Sequence, residues 1–131
     1  MILTKYRFNE TKAYMHYRGV SGIYAFLFED NVIYVGQSKD MRKRLLGHHG
    51  INSNINKVNK ERAKYPVDSQ LNTLEFYNFL KEHIEEIEFI ALPVNLEQLN
   101  EAEEHYINKY KPRFNYAGVV KEYKPIVREA A

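Results

Sequence analysis

Two tripeptides twelve residues apart, Gly22-Ile23-Tyr24 and Tyr34-Val35-Gly36, constrain this chain more than anything else in it. Each sits at the end of an apolar run of strand composition, Gly22–Phe28 and Val32–Gly36. Only Glu29-Asp30-Asn31 separates the runs, so the two strands are predicted to pair as an antiparallel hairpin. Parity then limits the loop. Side chains alternate along strands, so Tyr24 and Tyr34 share a sheet face only if paired residue numbers have an even sum. A two-residue Asp30-Asn31 turn gives a sum of 61 and opposite faces. A three-residue Glu29-Asp30-Asn31 loop with Asn31 left-handed gives 60 and one face, and is the expected form.

The rest of the chain reads as an α+β fold of one domain. Residues Met1 to Ser21 show no clean period, so residues 1–20 are expected to be an N-terminal extension and residues 21–115 the domain. After the hairpin a helix is expected from Ser38, as N-cap, to about His49. Gly50 to Ser69 is rich in Asn and Lys and contains a Pro, which reads as a loop with at most a broken helix. Gln70 to His83 places Leu71, Leu74, Phe76, Phe79 and Leu80 on or near one helical face. Glu86 to Leu92 alternates as a strand, and Asn95 to Lys109 reads as a last helix stopped before Pro112. Residues 116–131 form a basic tail. The expected architecture is a small three-stranded antiparallel sheet flanked by helices.

Charge is near balance overall, at +2, but unevenly spread. Lys39 to Lys64 carries Lys39, Arg42, Lys43, Arg44, Lys57, Lys60, Arg62 and Lys64 against Asp40 and Glu61, a local +6. Glu75 to Glu104 carries nine glutamates against Lys81, a local −8. A basic stripe on a nearly neutral protein suits a phosphate backbone, although two solvated helix faces would give the same count. No apolar run approaches the ~20 residues needed to cross a bilayer, and the N-terminal residues are charged, so no membrane contact and a cytoplasmic location are expected. The absence of cysteine excludes disulfides and thiolate metal sites.

Helical geometry singles out a few side chains. With Leu96 at zero and about 100° per residue, Leu99, Tyr106, Ile107 and Tyr110 share an apolar sector centred on Glu103. Glu97, Glu101 and Glu104 point to the polar side. A carboxylate within a burying stripe has to be paired, protonated or bound to a metal. In the helix after the hairpin, Met41 and Leu45 mark the apolar stripe, with Arg44 and His48 along its border and Lys39 and Lys43 facing solvent. Arg44 offers a rigid cationic fork either to phosphate oxygens or to a nearby glutamate. His48 and His49 diverge by about 100° and make a poor chelate, which leaves a zinc site short of ligands.

Taken together at hairpin spacing, with a basic helix following, the tripeptides resemble the signature of the GIY-YIG nuclease family, Val35 replacing the second isoleucine. The resemblance spans roughly Ser21 to Asn115. It matches Arg44, eight residues beyond Gly36, to the family's arginine, and His48 to a position often held by tyrosine or histidine. It also matches Glu103 to the metal-ligating glutamate and Asn115 to the polar residue after the last helix. The segment Glu103 to Asn115 is most similar to the form in the nucleotide-excision-repair incision subunit and in phage homing endonucleases.

What the resemblance implies is a DNA endonuclease working with one Mg²⁺ or Mn²⁺ ion held by Glu103. Arg44 would stabilise charge on the phosphate, and Tyr24 and Tyr34 would orient or deprotonate the attacking water, with His48 a rival base. Asn115 would position the site, while Lys39, Lys43, Lys57, Lys60, Arg62 and Lys64 would contact DNA, bound as a monomer or a homodimer. A catalytically weak nucleic-acid-binding module on the same scaffold is the alternative, and a regulatory interaction protein a third reading.

Overall fold

The hairpin forms, but its turn differs from expectation. In the computed structural model, which describes residues 3–64 and 71–118, β2 (Gly22–Phe28) pairs antiparallel with β3 (Asn31–Ser38). Phe28 faces Asn31 across a two-residue turn, Glu29-Asp30, with φ of 50° and 63°. Both are left-handed, as a turn that follows the right-handed strand twist requires. Asn31 is therefore the first strand residue and not the left-handed one. This turn alone pairs residues summing to 59, which would put the two tyrosines on opposite faces. A bulge corrects it: Leu27 pairs with Val32 but Phe26 pairs with Tyr34, leaving Ile33 as the extra residue. From there the sum is 60, and Tyr24 faces Gly36. The expected parity holds, produced by a bulge in place of a longer loop.

The sheet has four strands in the order β1-β4-β2-β3, all antiparallel, where three were expected. The additional strand, β1 (Tyr6–Arg7), pairs with Phe89 and Glu88 of β4 (Glu88–Pro93). A two-residue strand followed by a 3₁₀ helix over Thr11–Tyr17 leaves no periodicity to read. Yet this segment supplies Phe8 and Tyr14, both fully buried, with the Tyr14 hydroxyl donating to the Phe8 carbonyl. Residues expected to form an extension thus fill the core beside Phe26 and Phe89.

Helices cover both sheet faces. The first, α1 (Met41–His49), starts later than expected: Asp40 caps it by accepting from the Lys43 amide, and Ser38 ends β3. The stretch read as a loop is a helix, α2 (Ile51–Lys64), because Ile51, Ile55 and Val58 recur at helical spacing toward α3 (Leu71–Glu82). Val58 and Arg62, four apart, share that inward face, while Lys57, Lys60 and Lys64 lie exposed on another. Arg62 is half-buried with its Nε enclosed, which separates it from the three lysines it was grouped with. One core joins Tyr24, Phe26, Ile33 and Phe89 to Met41, Leu45, Phe76, Leu80 and Phe114, the last from α5 (Arg113–Gly118). The opposite face, with Ile23, Ala25 and Val35, packs under Leu99 of α4 (Leu99–Tyr110). Among the described residues no helix is long and apolar enough to cross a membrane. The tail expected from residue 116 lies beyond the described residues after Gly118.

The left-handed Glu29 makes the turn testable. Asparagine tolerates this conformation better, so Glu29→Asn is expected to stabilise the fold by about 0.5–1 kcal/mol, read from urea or thermal midpoints. A midpoint that stays put or falls would contradict the turn described.

Candidate active site

The bulge sets Tyr34 beside Tyr24, their ring centroids 6.2 Å apart. Tyr24 is 1% exposed, and its ring lies across Gly36, where a Cβ would stand 2.3 Å from the phenol oxygen. Only glycine permits that approach. The tyrosine is thereby fixed between two side chains of α1. Arg44 Nε donates to the Tyr24 hydroxyl at 3.3 Å, and His48 Nε2 lies 2.7 Å from it. On the far side of the imidazole, His48 Nδ1 is 3.1 Å from the hydroxyl of Tyr77, a residue of α3.

His48 is not at the border of its helix, as the helical wheel placed it, but 3% exposed within an aromatic cluster of Tyr24, Phe26, Tyr34 and Phe76. Burial, and then the Arg44 charge, push its pKa down to about 3, so it is neutral at physiological pH. Burial raises the Tyr24 phenol above its ordinary range, the neighbouring Tyr34 adds to this, and Arg44 opposes it. Burial also raises Tyr34, again against Arg44. Arg44 makes no ion pair among the described residues, which removes the glutamate salt bridge as its role. His49 turns elsewhere, toward Asn9 at 3.1 Å.

Tyr34, Arg44, His48 and Tyr77 line a cavity of about 170 Å³, walled by Phe76 and Phe114. This is where Tyr77 joins the set. Sequence reasoning passed over it, although its place next to Phe76 on the inward face of α3 was a usable signal.

Glu103 and Asn115 belong to the outer edge of β3. Glu103 is half-buried and accepts from Gln37 Nε2 at 3.1 Å, while Gln37 also donates to Asn100 at 2.7 Å. It does not stand at the centre of a buried stripe. Leu96 precedes α4 in a 3₁₀ turn and is 58% exposed, Tyr110 is 48% exposed, and Leu99 carries the buried face with Ala102, Tyr106 and Ile107 partly covered. The carboxylate is close enough to Tyr34 to oppose that phenol's ionisation. Asn115 accepts from Val35 N and donates to Val35 O, both at 2.7 Å. It thus pairs with the open edge of β3 as a neighbouring strand would. The two bonds fix the backbone of the second tripeptide at Val35.

The profile of the GIY-YIG catalytic domain matches residues 20–117. The chain belongs to the GIY-YIG family. Among solved structures it is similar in fold to the N-terminal GIY-YIG endonuclease domain of UvrC from Thermotoga maritima bound to magnesium, at 19% identity, with 79% of this chain and 91% of that one covered and a TM-score of 0.46. A point mutant of the same domain bound to its catalytic divalent cation gives 18% identity, 81% and 94% coverage, and a TM-score of 0.48. Comparison with curated proteins finds no match.

Members of this family are nucleases, and the residues here fit a divalent ion held by one carboxylate. Among the described residues no three His, Asp or Glu side chains converge. Magnesium keeps several of its waters and is commonly bound through one or two carboxylates, with which the half-buried carboxylate of Glu103 is compatible.

A neutral buried imidazole leaves a trace in acid stability. The unfolded chain takes up a proton below pH 6.5 that folded His48 refuses until about 3. Stability attributable to His48 is therefore whole above pH 6.5 and falls as pH drops toward 3, by up to about 1.4 kcal/mol per unit. Thermal melts of wild type and His48→Gln should show a shallower acid slope in the variant, even though its melting point at pH 7 is lower. Parallel slopes would contradict the buried neutral state.

Proposed function

We propose that this GIY-YIG domain is a metal-dependent DNA endonuclease, with Tyr24, Tyr34, Arg44 and His48 on one side of β3 and Glu103 on its edge. The observation that carries the reading is the shared hydroxyl of Tyr24. It holds Arg44 by 3.3 Å and His48 by 2.7 Å at the wall of a cavity that Tyr34 also lines. An always-charged guanidinium beside such a cavity suits the non-bridging oxygens of a phosphodiester.

Three residues compete for the water-activating role. His48 has both ring nitrogens engaged and a pKa of about 3, which makes it a weak base. Tyr24 is 1% exposed and cannot meet water directly. Tyr34 is half-buried, lines the cavity and lies within the field of Arg44, so it is the residue that orients the nucleophile. Glu103 would hold Mg²⁺ or Mn²⁺, which supplies Lewis-acid stabilisation of phosphate charge when bound. Lys39 and Lys43 are exposed around α1, and Lys57, Lys60 and Lys64 along α2, as positions for backbone contacts by a monomer or a homodimer. Arg62 is left out of that set.

Supercoiled plasmid incubated with and without Mg²⁺ tests the activity. Metal-dependent nicking by wild type, lost by orders of magnitude in folded Glu103→Gln and Arg44→Ala, is the expected outcome. Glu103→Gln should keep its melting temperature, since the amide can still accept from Gln37. A gel shift without nicking would leave the binding module, and wild-type nicking by folded Glu103→Gln would overturn the metal role.

Replacing Lys57, Lys60 and Lys64 with Gln is expected to weaken binding to every sequence alike. Each lost phosphate contact should flatten the salt dependence by about 0.9. An unchanged slope removes α2 from the interface.

A further inference from the structure

Tyr77 lies 29 residues from His48 in sequence, yet the two share a hydrogen bond of 3.1 Å inside the cavity wall. The direction of that bond follows from the one group in the network that can only donate. Arg44 has no acceptor, so at 3.3 Å its Nε–H gives to the Tyr24 oxygen. An oxygen polarised by a cation is a better donor, and of the two other partners of Tyr24, the Tyr34 hydroxyl and His48 Nε2 at 2.7 Å, the imidazole nitrogen is the stronger acceptor. A neutral imidazole with Nε2 accepting carries its proton on Nδ1. That N–H gives to the Tyr77 oxygen, whose own proton is then left for the cavity that Tyr77 lines together with Tyr34 and Arg44. The opposite direction would have Tyr24 accept from both Arg44 and His48 and give its own proton to the Tyr34 oxygen, a weaker acceptor than an imidazole nitrogen.

We propose that Tyr77 is a further substrate-binding residue of this site, its hydroxyl donating to a non-bridging oxygen of the phosphodiester at the end of a one-way chain Arg44→Tyr24→His48→Tyr77. The charge of Arg44 then acts on the substrate twice. It acts directly through the guanidinium, and again through three hydrogen bonds that turn the Tyr77 proton outward. The 3% exposure of His48 also gains a purpose, since a solvated imidazole would sample both tautomers and both protonation states. Tyr77 itself is 9% exposed and lines the cavity.

This inference rests on the nuclease reading above, and its test separates the two. Nitrogen-15 NMR of the free protein reads the His48 tautomer without any substrate. The Nδ1–H form is expected, and an Nε2–H form overturns the chain as written. Tyr77→Phe removes one oxygen at the cavity wall and keeps the ring packing, so its melting temperature should stay near wild type. Its nicking kcat is expected to fall about a hundredfold, in the range found when a single preorganised donor to developing charge is lost. Binding of a short DNA duplex without metal, followed by fluorescence anisotropy, should weaken several-fold. Wild-type kcat and affinity in folded Tyr77→Phe overturn the role of Tyr77 while leaving the nuclease reading intact. Absence of nicking and of duplex binding in the wild type overturns both, whatever the tautomer.

Discussion

A phenol oxygen sealed from solvent must find its hydrogen bonds inside the protein, and the Tyr24 hydroxyl finds them in Arg44 and His48. Leaving such a group without partners would cost about 1–3 kcal/mol, so the bonds pin α1 to the sheet at one rotation and one height. Met41 and Leu45 supply the apolar grip of that helix, both fully buried, but apolar contacts alone tolerate sliding. The polar contacts do not. Gly36 is part of the same constraint, because the tyrosine ring reaches its partners only by crossing the bare backbone opposite. The bulge at Ile33 then brings Tyr34 to the same face. A small set of backbone irregularities thus determines where the side chains of Tyr24, Tyr34, Arg44 and His48 meet.

The two sides of β3 present different chemistry. On the inner side lies an aromatic cluster, in which burial holds His48 neutral and both tyrosines protonated, with the exposed Arg44 as the fixed charge. On the outer edge, Gln37 and Asn100 keep Glu103 in a partly solvated polar setting. The second setting is the one chemically compatible with the hydrated ion proposed above, since stripping magnesium of its waters is costly. β3 is the last strand of its sheet, and Asn115 closes its free edge at Val35, so the partition between the sides stays rigid.

Much of this was legible from residue order alone. The hairpin, the helix carrying Arg44 and His48, and the alternation of Ile87, Phe89 and Ala91 follow from periodicity and spacing. The apolar sector expected around Glu103 did not form, since Leu96 precedes α4 and both Leu96 and Tyr110 are exposed. Short or irregular elements escaped. β1 is two residues long, and the turn after it is 3₁₀, so Phe8 and Tyr14 gave no pattern although both sit in the core. Composition hid α2: asparagines and lysines suggested a loop, while Ile51, Ile55 and Val58 carried the helical period beneath them. The turn was misjudged because parity fixes only the sum of paired residues, and a bulge changes that sum as well as loop length does. Tyr77 left one signal, its place beside Phe76, but its contact with the site depends on His48 pointing inward, where wheel geometry placed that histidine at the border. Burial of a polar residue by its neighbours is a tertiary fact.

Paramagnetic relaxation by Mn²⁺ tests most directly whether β3 joins a metal side to the tyrosine–arginine side. With substoichiometric Mn²⁺ added to isotope-labelled protein, resonances of Glu103 and Gln37 should broaden first and those of Tyr34 and Arg44 next. The acidic positions Glu97, Glu101 and Glu104 should broaden later. Broadening centred on those exposed glutamates, with Glu103 and Tyr34 unaffected, would contradict a single metal-dependent centre on this strand.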